Sequence, residues 1–255
     1  MGKLSNIGRI FYGLSIAALG FLTIYYSDFP YFLLPPNHHW MNDHVIFVYI
    51  SGALLFLAGV CIAFEKMTMT ISLLLGAVLL LIFCFYFIPY ELTVSANYMH
   101  FGDWENAAKE LALCGGALVI TRKFFSWGVI IFCLTIISFG MNHFLYAKEA
   151  ADYIPSWIPN HMFWIYFCGV ALLGSGIGVI LNFKRRLMAT LLGTMILIWV
   201  IILHIPYSIA ASAAGKAGEI SSAFLALAYC GIAYLIAGAE ISVPVSIKEP
   251  SFKVS

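Results

Sequence analysis

Three histidines in the carboxy-terminal half, His143, His161 and His204, lie at the ends of long apolar runs, and Glu105, Glu110 and Glu219 lie near the starts of others. An imidazole can donate to a carbonyl oxygen, and a carboxylate can take the proton released when a hydroxyl is oxidised. Together they could serve a quinone, which needs donors at its ring carbonyls, a proton acceptor and a greasy slot. Such a slot would be bounded by His143, His161, His204 and Tyr207, with Trp157 or Trp164 along its wall and Glu219 at the same depth. In the amino-terminal half the matching or candidate residues are Trp40, His44, Tyr90, Glu105 and Lys109. Two other chemistries compete. Three converging histidines could bind zinc or copper, but their spacing fits no standard site, so no metal is expected. A histidine at a helix end also commonly bonds only to water or backbone, and Lys109, four residues after Glu105, could do no more than neutralise that carboxylate.

The elements that would carry these groups follow from composition. The chain has 62% apolar and only 10% charged residues, whereas a soluble domain spends about a quarter of its residues on charge. This is the composition of a membrane protein. Apolar stretches near the length needed to cross a bilayer run over 8–26, 44–64, 69–90, 106–121, 124–146, 161–181, 187–207 and 219–239. The reading is therefore all-α with eight membrane helices, the fourth the shortest and marked by Lys109 and Glu110. With the amino terminus inside, Lys3, Arg9, Lys66, Arg122, Lys123, Lys184, Arg185, Arg186, Lys248 and Lys253 share the cytoplasmic side, against Lys109, Lys148 and Lys216 outside. Both termini are then cytoplasmic. The first apolar segment lacks a small-residue cleavage pattern and reads as a span. With a net charge of +1 and no basic run beyond Lys184-Arg185-Arg186, nucleic acid is not an expected partner, while membrane lipid is.

The chain also repeats itself. A shift of 117 places Trp40 on Trp157, His44 on His161, Tyr49 on Tyr166, Gly52 on Gly169, Gly59 on Gly176, Gly76 on Gly193 and Pro89-Tyr90 on Pro206-Tyr207. One deletion later, Cys114-Gly115 falls on Cys230-Gly231. This predicts two parallel four-helix units, 1–122 and 123–242, with a cytoplasmic tail over 243–255. Within each unit the paired glycines would let helices approach closely, and Pro89 or Pro206 would stop a helix that has already crossed. The connection 27–43, with its aromatics and prolines, would lie across the outer headgroup layer. His204 stands out because its counterpart is Phe87.

The stretches WIPNHMFWIYFCGVALLGSGIGVIL, LLGTMILIWVIILHIPY and WENAAKELALCGGALVI resemble the DoxX family and its DoxX-like relatives, four-helix proteins of bacterial and archaeal inner membranes. The similarity runs from about 8 to 240 and rests on spaced small, aromatic and polar residues. It implies a tandem of two DoxX-like units in a bacterial inner membrane. Because founding members are membrane subunits of a quinol oxidase and of thiosulfate:quinone oxidoreductase, it also implies a quinone-linked subunit of an oxidoreductase system. The redox centre would come from a peripheral or periplasmic partner or from the quinone itself. No heme-attachment motif, phosphate loop or catalytic triad pattern occurs, and the six cysteines never form Cys-x-x-Cys. A non-enzymatic lipid-binding or membrane-protein assembly factor is the alternative, and a small-molecule transporter a third.

Overall fold

The structure is a computed structural model that describes residues 2–35, 45–95 and 99–239. Among these the chain is all-helical, and seven helices are long and apolar enough to cross a membrane. We number the helices α1 (Lys3–Tyr26), α2 (Val45–Ala63), α3 (Thr68–Thr93), α4 (Glu105–Ile120), α5 (Phe125–Leu145), α6 (Ala147–Asp152), α7 (His161–Ile180), α8 (Arg185–Ala210) and α9 (Lys216–Gly238). The short α6 and α4 are the two outside the set of seven. Eight spans were expected. The fourth, α4, has sixteen residues, about 24 Å at 1.5 Å per residue, against a hydrocarbon core of about 30 Å.

Successive contacts run α1–α2–α3–α4–α5–α7–α8–α9 and close from α9 back to α1, while α4 and α9 also touch each other. Neighbours run antiparallel. Gly13 meets Gly59 and Ala63 while Gly20 meets Gly52 and Phe56, and Gly8 meets Gly231 while Ser5 meets Gly238. One end of the bundle therefore gathers Lys3, Arg9, Lys66, Arg122, Lys123, Lys184, Arg185 and Arg186, and the other carries Lys109, Lys148 and Lys216. Arg9 is buried in the basic end. Its guanidinium donates to the Ile62 and Ala63 carbonyls at 2.7 and 2.5 Å and pairs with Glu65 at 3.3 Å, so it neutralises the carboxy-terminal end of α2.

Helix α3 contains a π-helical turn at Phe83–Phe87 and α8 another at Val200–His204, and each is followed at once by an α-helical turn carrying the Ile-Pro-Tyr sequence. All three bounds, 68–82 with 185–199, 83–87 with 200–204 and 88–93 with 205–210, differ by 117. Neither Pro89 nor Pro206 stops its helix, contrary to expectation. A proline within a helix lacks the N–H and crowds the carbonyl a turn back, and the wider π turn just upstream accommodates both defects.

The connection after α1 packs against the bundle over its described part. Of the segment 27–43, residues 36–43 lie outside the described residues, but Phe29, Phe32, Leu33 and Leu34 are buried. Phe29 and Leu34 form a cluster with Val48 of α2, against which Tyr86 of α3 packs. Four large apolar side chains of this stretch thus find protein partners, while Asp28 just before them and Tyr31 among them stay exposed.

Candidate functional site

A cavity of about 670 Å³ lies inside the carboxy-terminal half, between α5, α7, α8 and α9, with the start of α4 and the α6 region at its rim. Its floor is apolar: Ile136 of α5, Leu172 of α7, Met195 of α8 and Leu225 of α9. Its collar is polar: Asn142 and His143 of α5, His204 of α8, Glu219 and Ser222 of α9, Glu105 and Lys109 of α4. The mouth, at the end away from the basic cluster, carries His100, Tyr146, Glu149 and Tyr153. From Ile136 to His143 along α5 is about 10 Å, so the change from apolar to polar occurs over two helical turns.

Two collar atoms are buried without a hydrogen-bond partner, Nδ1 of His204 and Oδ1 of Asn142. A buried polar atom left unpaired costs free energy and marks a place where a ligand or water can repay it. His143 is held differently. Its Nδ1 donates to the Phe139 carbonyl at 2.8 Å, which in the neutral ring leaves Nε2 as the acceptor. Trp199 donates from Nε1 to Sγ of Cys168 at 3.1 Å, and the Tyr229 hydroxyl donates to the Lys109 carbonyl at 3.0 Å. Both rings are thereby fixed as walls. At the rim, Lys109 and Glu105 pair at 2.5 Å, and the Tyr146 hydroxyl lies 3.1 Å from the Gly102 amide and 3.2 Å from the His100 ring.

Of the residues singled out from sequence, His143, His204, Glu219, Glu105 and Lys109 line this one cavity. The last two were expected in an amino-terminal site. They reach the carboxy-terminal cavity because α4 packs along α5. His161 begins α7 but does not line the cavity, so the three histidines do not converge there. Trp164 stands behind the wall, edge-on to Trp199 at 6.5 Å. Trp157 is 67% exposed, and the Tyr207 hydroxyl is engaged by the Tyr153 carbonyl at 2.9 Å. Tyr90 sits in the amino-terminal half, away from the cavity. Trp40 and His44 lie outside the described residues. Among the described residues no group of three or more His, Cys, Asp or Glu side chains could hold a metal ion.

Sequence reading missed Asn142, Tyr146, Ser222 and Tyr229. Asn142 left a signal, since an amide beside a histidine inside an apolar run is a costly placement that asks for a reason. Glu110 is fully buried, with neither carboxyl oxygen hydrogen-bonded, but it lies outside the cavity lining. With the one-residue deletion, its counterpart is Ala226, which does line the cavity.

Residues 132–239 match the model of a family described as a domain of unknown function (DUF8561). The match spans the carboxy-terminal half and most of the cavity wall, but not the α4 residues at the rim. No curated protein and no solved structure matches the chain.

Proposed function

We propose that the chain is a quinone-linked membrane subunit of an oxidoreductase system and that the carboxy-terminal cavity is its quinone site. The observation that carries this reading is the pair of buried, unpartnered polar atoms, His204 Nδ1 and Asn142 Oδ1, set above an apolar floor. A quinone ring fits that chemistry. The Asn142 amide, turned about its last torsion, presents a donor, and His204 in its Nδ1-protonated tautomer presents another. The floor takes apolar ring substituents, and the tail leaves between helices into lipid. When bound, the quinone supplies the two-electron chemistry. The protein's residues orient the ring, exclude water at the floor and offer Glu105, Glu149 and Glu219 toward the mouth as a relay for the two protons that the quinone takes up when it is reduced. Electrons come from a peripheral or periplasmic partner.

The wider frame belongs to the same proposal. The equal offsets of the helices and π turns and the two sets of antiparallel contacts support two DoxX-like four-helix units in tandem, with α4 as an eighth span. The basic end supports a cytoplasmic placement of both termini in a bacterial inner membrane. A second reading, a non-enzymatic lipid-binding protein, is favoured by one feature: the apolar floor is closed in by four helices and would hold any short amphiphile.

Titration of quinone into the full chain in detergent tests the reading. His204→Phe should fold and insert normally, since Phe87 occupies the corresponding place fully buried. It should weaken quinone binding by about 1–3 kcal/mol, the usual cost of a lost buried partner. Unchanged affinity, or no affinity in either protein, removes the quinone and leaves the lipid-binding reading.

A further inference from the structure

At the basic end, opposite the cavity, a second cleft of about 700 Å³ opens between the start of α1, the start of α8 and the end of α9. Three cations line it, Lys3, Arg185 and Arg186, and among the described residues none that lines it is acidic. No ion pair engages any of the three among the described residues. Arg185 is steered only by the Phe125 ring, 5.4 Å from its guanidinium carbon. The contrast with Arg9 at the same end is direct, because Arg9 pairs with Glu65 and donates to two carbonyls.

Three like charges around one concavity repel one another and concentrate a positive potential there. The last carbonyls of α9 face the same place, but a helix end supplies only about half a charge, and the positive ends of α1 and α8 offset it. Among the described residues nothing neutralises that charge, and an external anion would. The remaining wall is apolar, formed by Leu4, Ile7 and Ile236, and Ile7 is 41% exposed on the outside of the bundle. A small inorganic anion gains nothing from that wall, whereas a phosphate attached to hydrocarbon uses both parts.

We propose that this cleft binds the phosphate headgroup of an anionic phospholipid, with Lys3, Arg185 and Arg186 around the phosphate and the acyl chains descending along Leu4 and Ile7. It is independent of the quinone reading, since no residue is shared between the two sites.

The test is native mass spectrometry of the full chain released from nanodiscs of mixed phosphatidylglycerol and phosphatidylcholine. Two triple variants are compared with the parent: Lys3→Gln/Arg185→Gln/Arg186→Gln, and Lys66→Gln/Arg122→Gln/Lys123→Gln, which removes equal charge from the same end but outside the cleft. The parent and the second variant should each retain one phosphatidylglycerol, and the first should lose at least roughly tenfold in that retention, about 1.4 kcal/mol. Equal loss in both variants means a diffuse basic surface and overturns the proposal, as does a parent with no preference for the anionic lipid. Inorganic phosphate that displaces the lipid from the parent at about millimolar concentration, the range of a weak single-ion site, also overturns it and assigns the cleft to free anions.

Discussion

The two halves of the molecule solve the same packing problem with opposite results. In the amino-terminal half, α1 and α2 meet backbone to backbone, so that a Cβ on Gly13 would lie 2.5 Å from the Ala63 amide nitrogen. Phe29 and Leu34 fill the space beside Val48 and Tyr86, and Phe87 is fully buried. In the carboxy-terminal half, side chains are the nearest atoms between α5 and α7, and the closest backbone oxygens lie at 3.1 Å from a Cβ on Gly140 or Gly176. A Cβ on Gly169 would first meet the Phe144 ring, and one on Gly176 the Ile137 side chain. Ile165 and Leu203, the counterparts of Val48 and Tyr86, line the cavity, and Ala147, Ala150 and Ala151 stand where Pro30, Leu33 and Leu34 stand in the first half. The same helix pattern gives a filled core or a ligand-sized space according to a few residues in one connection and the width of one helix pair.

Several substitutions would break or sharpen that contrast. Removal of the buried ring in Phe87→Ala should cost about 3–5 kcal/mol of stability, as for other large-to-small core changes. Unfolding in mixed detergent would measure this, and a small loss would mean that the first half is already loosely packed. Gly59→Ala should cost about 3 kcal/mol, because its Cβ meets the Gly13 carbonyl and the Ala17 backbone, neither of which can turn away. Gly176→Ala should cost only about 1 kcal/mol, since the Ile137 side chain can move aside. Equal effects at the two glycines would deny the difference in helix approach. Ala226→Phe places a ring in the cavity from α9. It should leave stability within about 1 kcal/mol of the parent while weakening quinone binding by about 2 kcal/mol or more, as expected when a preformed space is filled. The smallest effect belongs to His161→Phe, which should change quinone affinity by less than about 0.5 kcal/mol, because the residue does not line the cavity.

Hydropathy alone located the helices to within a few residues, since each apolar run is long and sharply bounded. The doubled Ile-Pro-Tyr pointed to paired features of α3 and α8, but it was read as a helix stop. The π turn is a matter of backbone hydrogen bonding, which residue types do not announce. His204 was legible by contrast with Phe87, and the Glu105–Lys109 pair by its spacing. Which cavity that pair borders was not, because it depends on α4 lying along α5 across the boundary of the sequence repeat. Nor could His143 be told from His161. Both lie at helix ends in sequence, and only the direction each faces in the bundle separates them.

The account is tested most directly by photolabelling the purified full chain with an azidoquinone and mapping the adducts by mass spectrometry. Adducts should form at Leu172, Met195 or Leu225 on the cavity floor, should be suppressed by excess unlabelled quinone, and should be missing from Leu55, the counterpart of Leu172, which packs against the core of the filled half. Equal labelling of the two halves, or adducts confined to exposed side chains such as Leu54 and Phe163 on the outer faces of the helices, would contradict it.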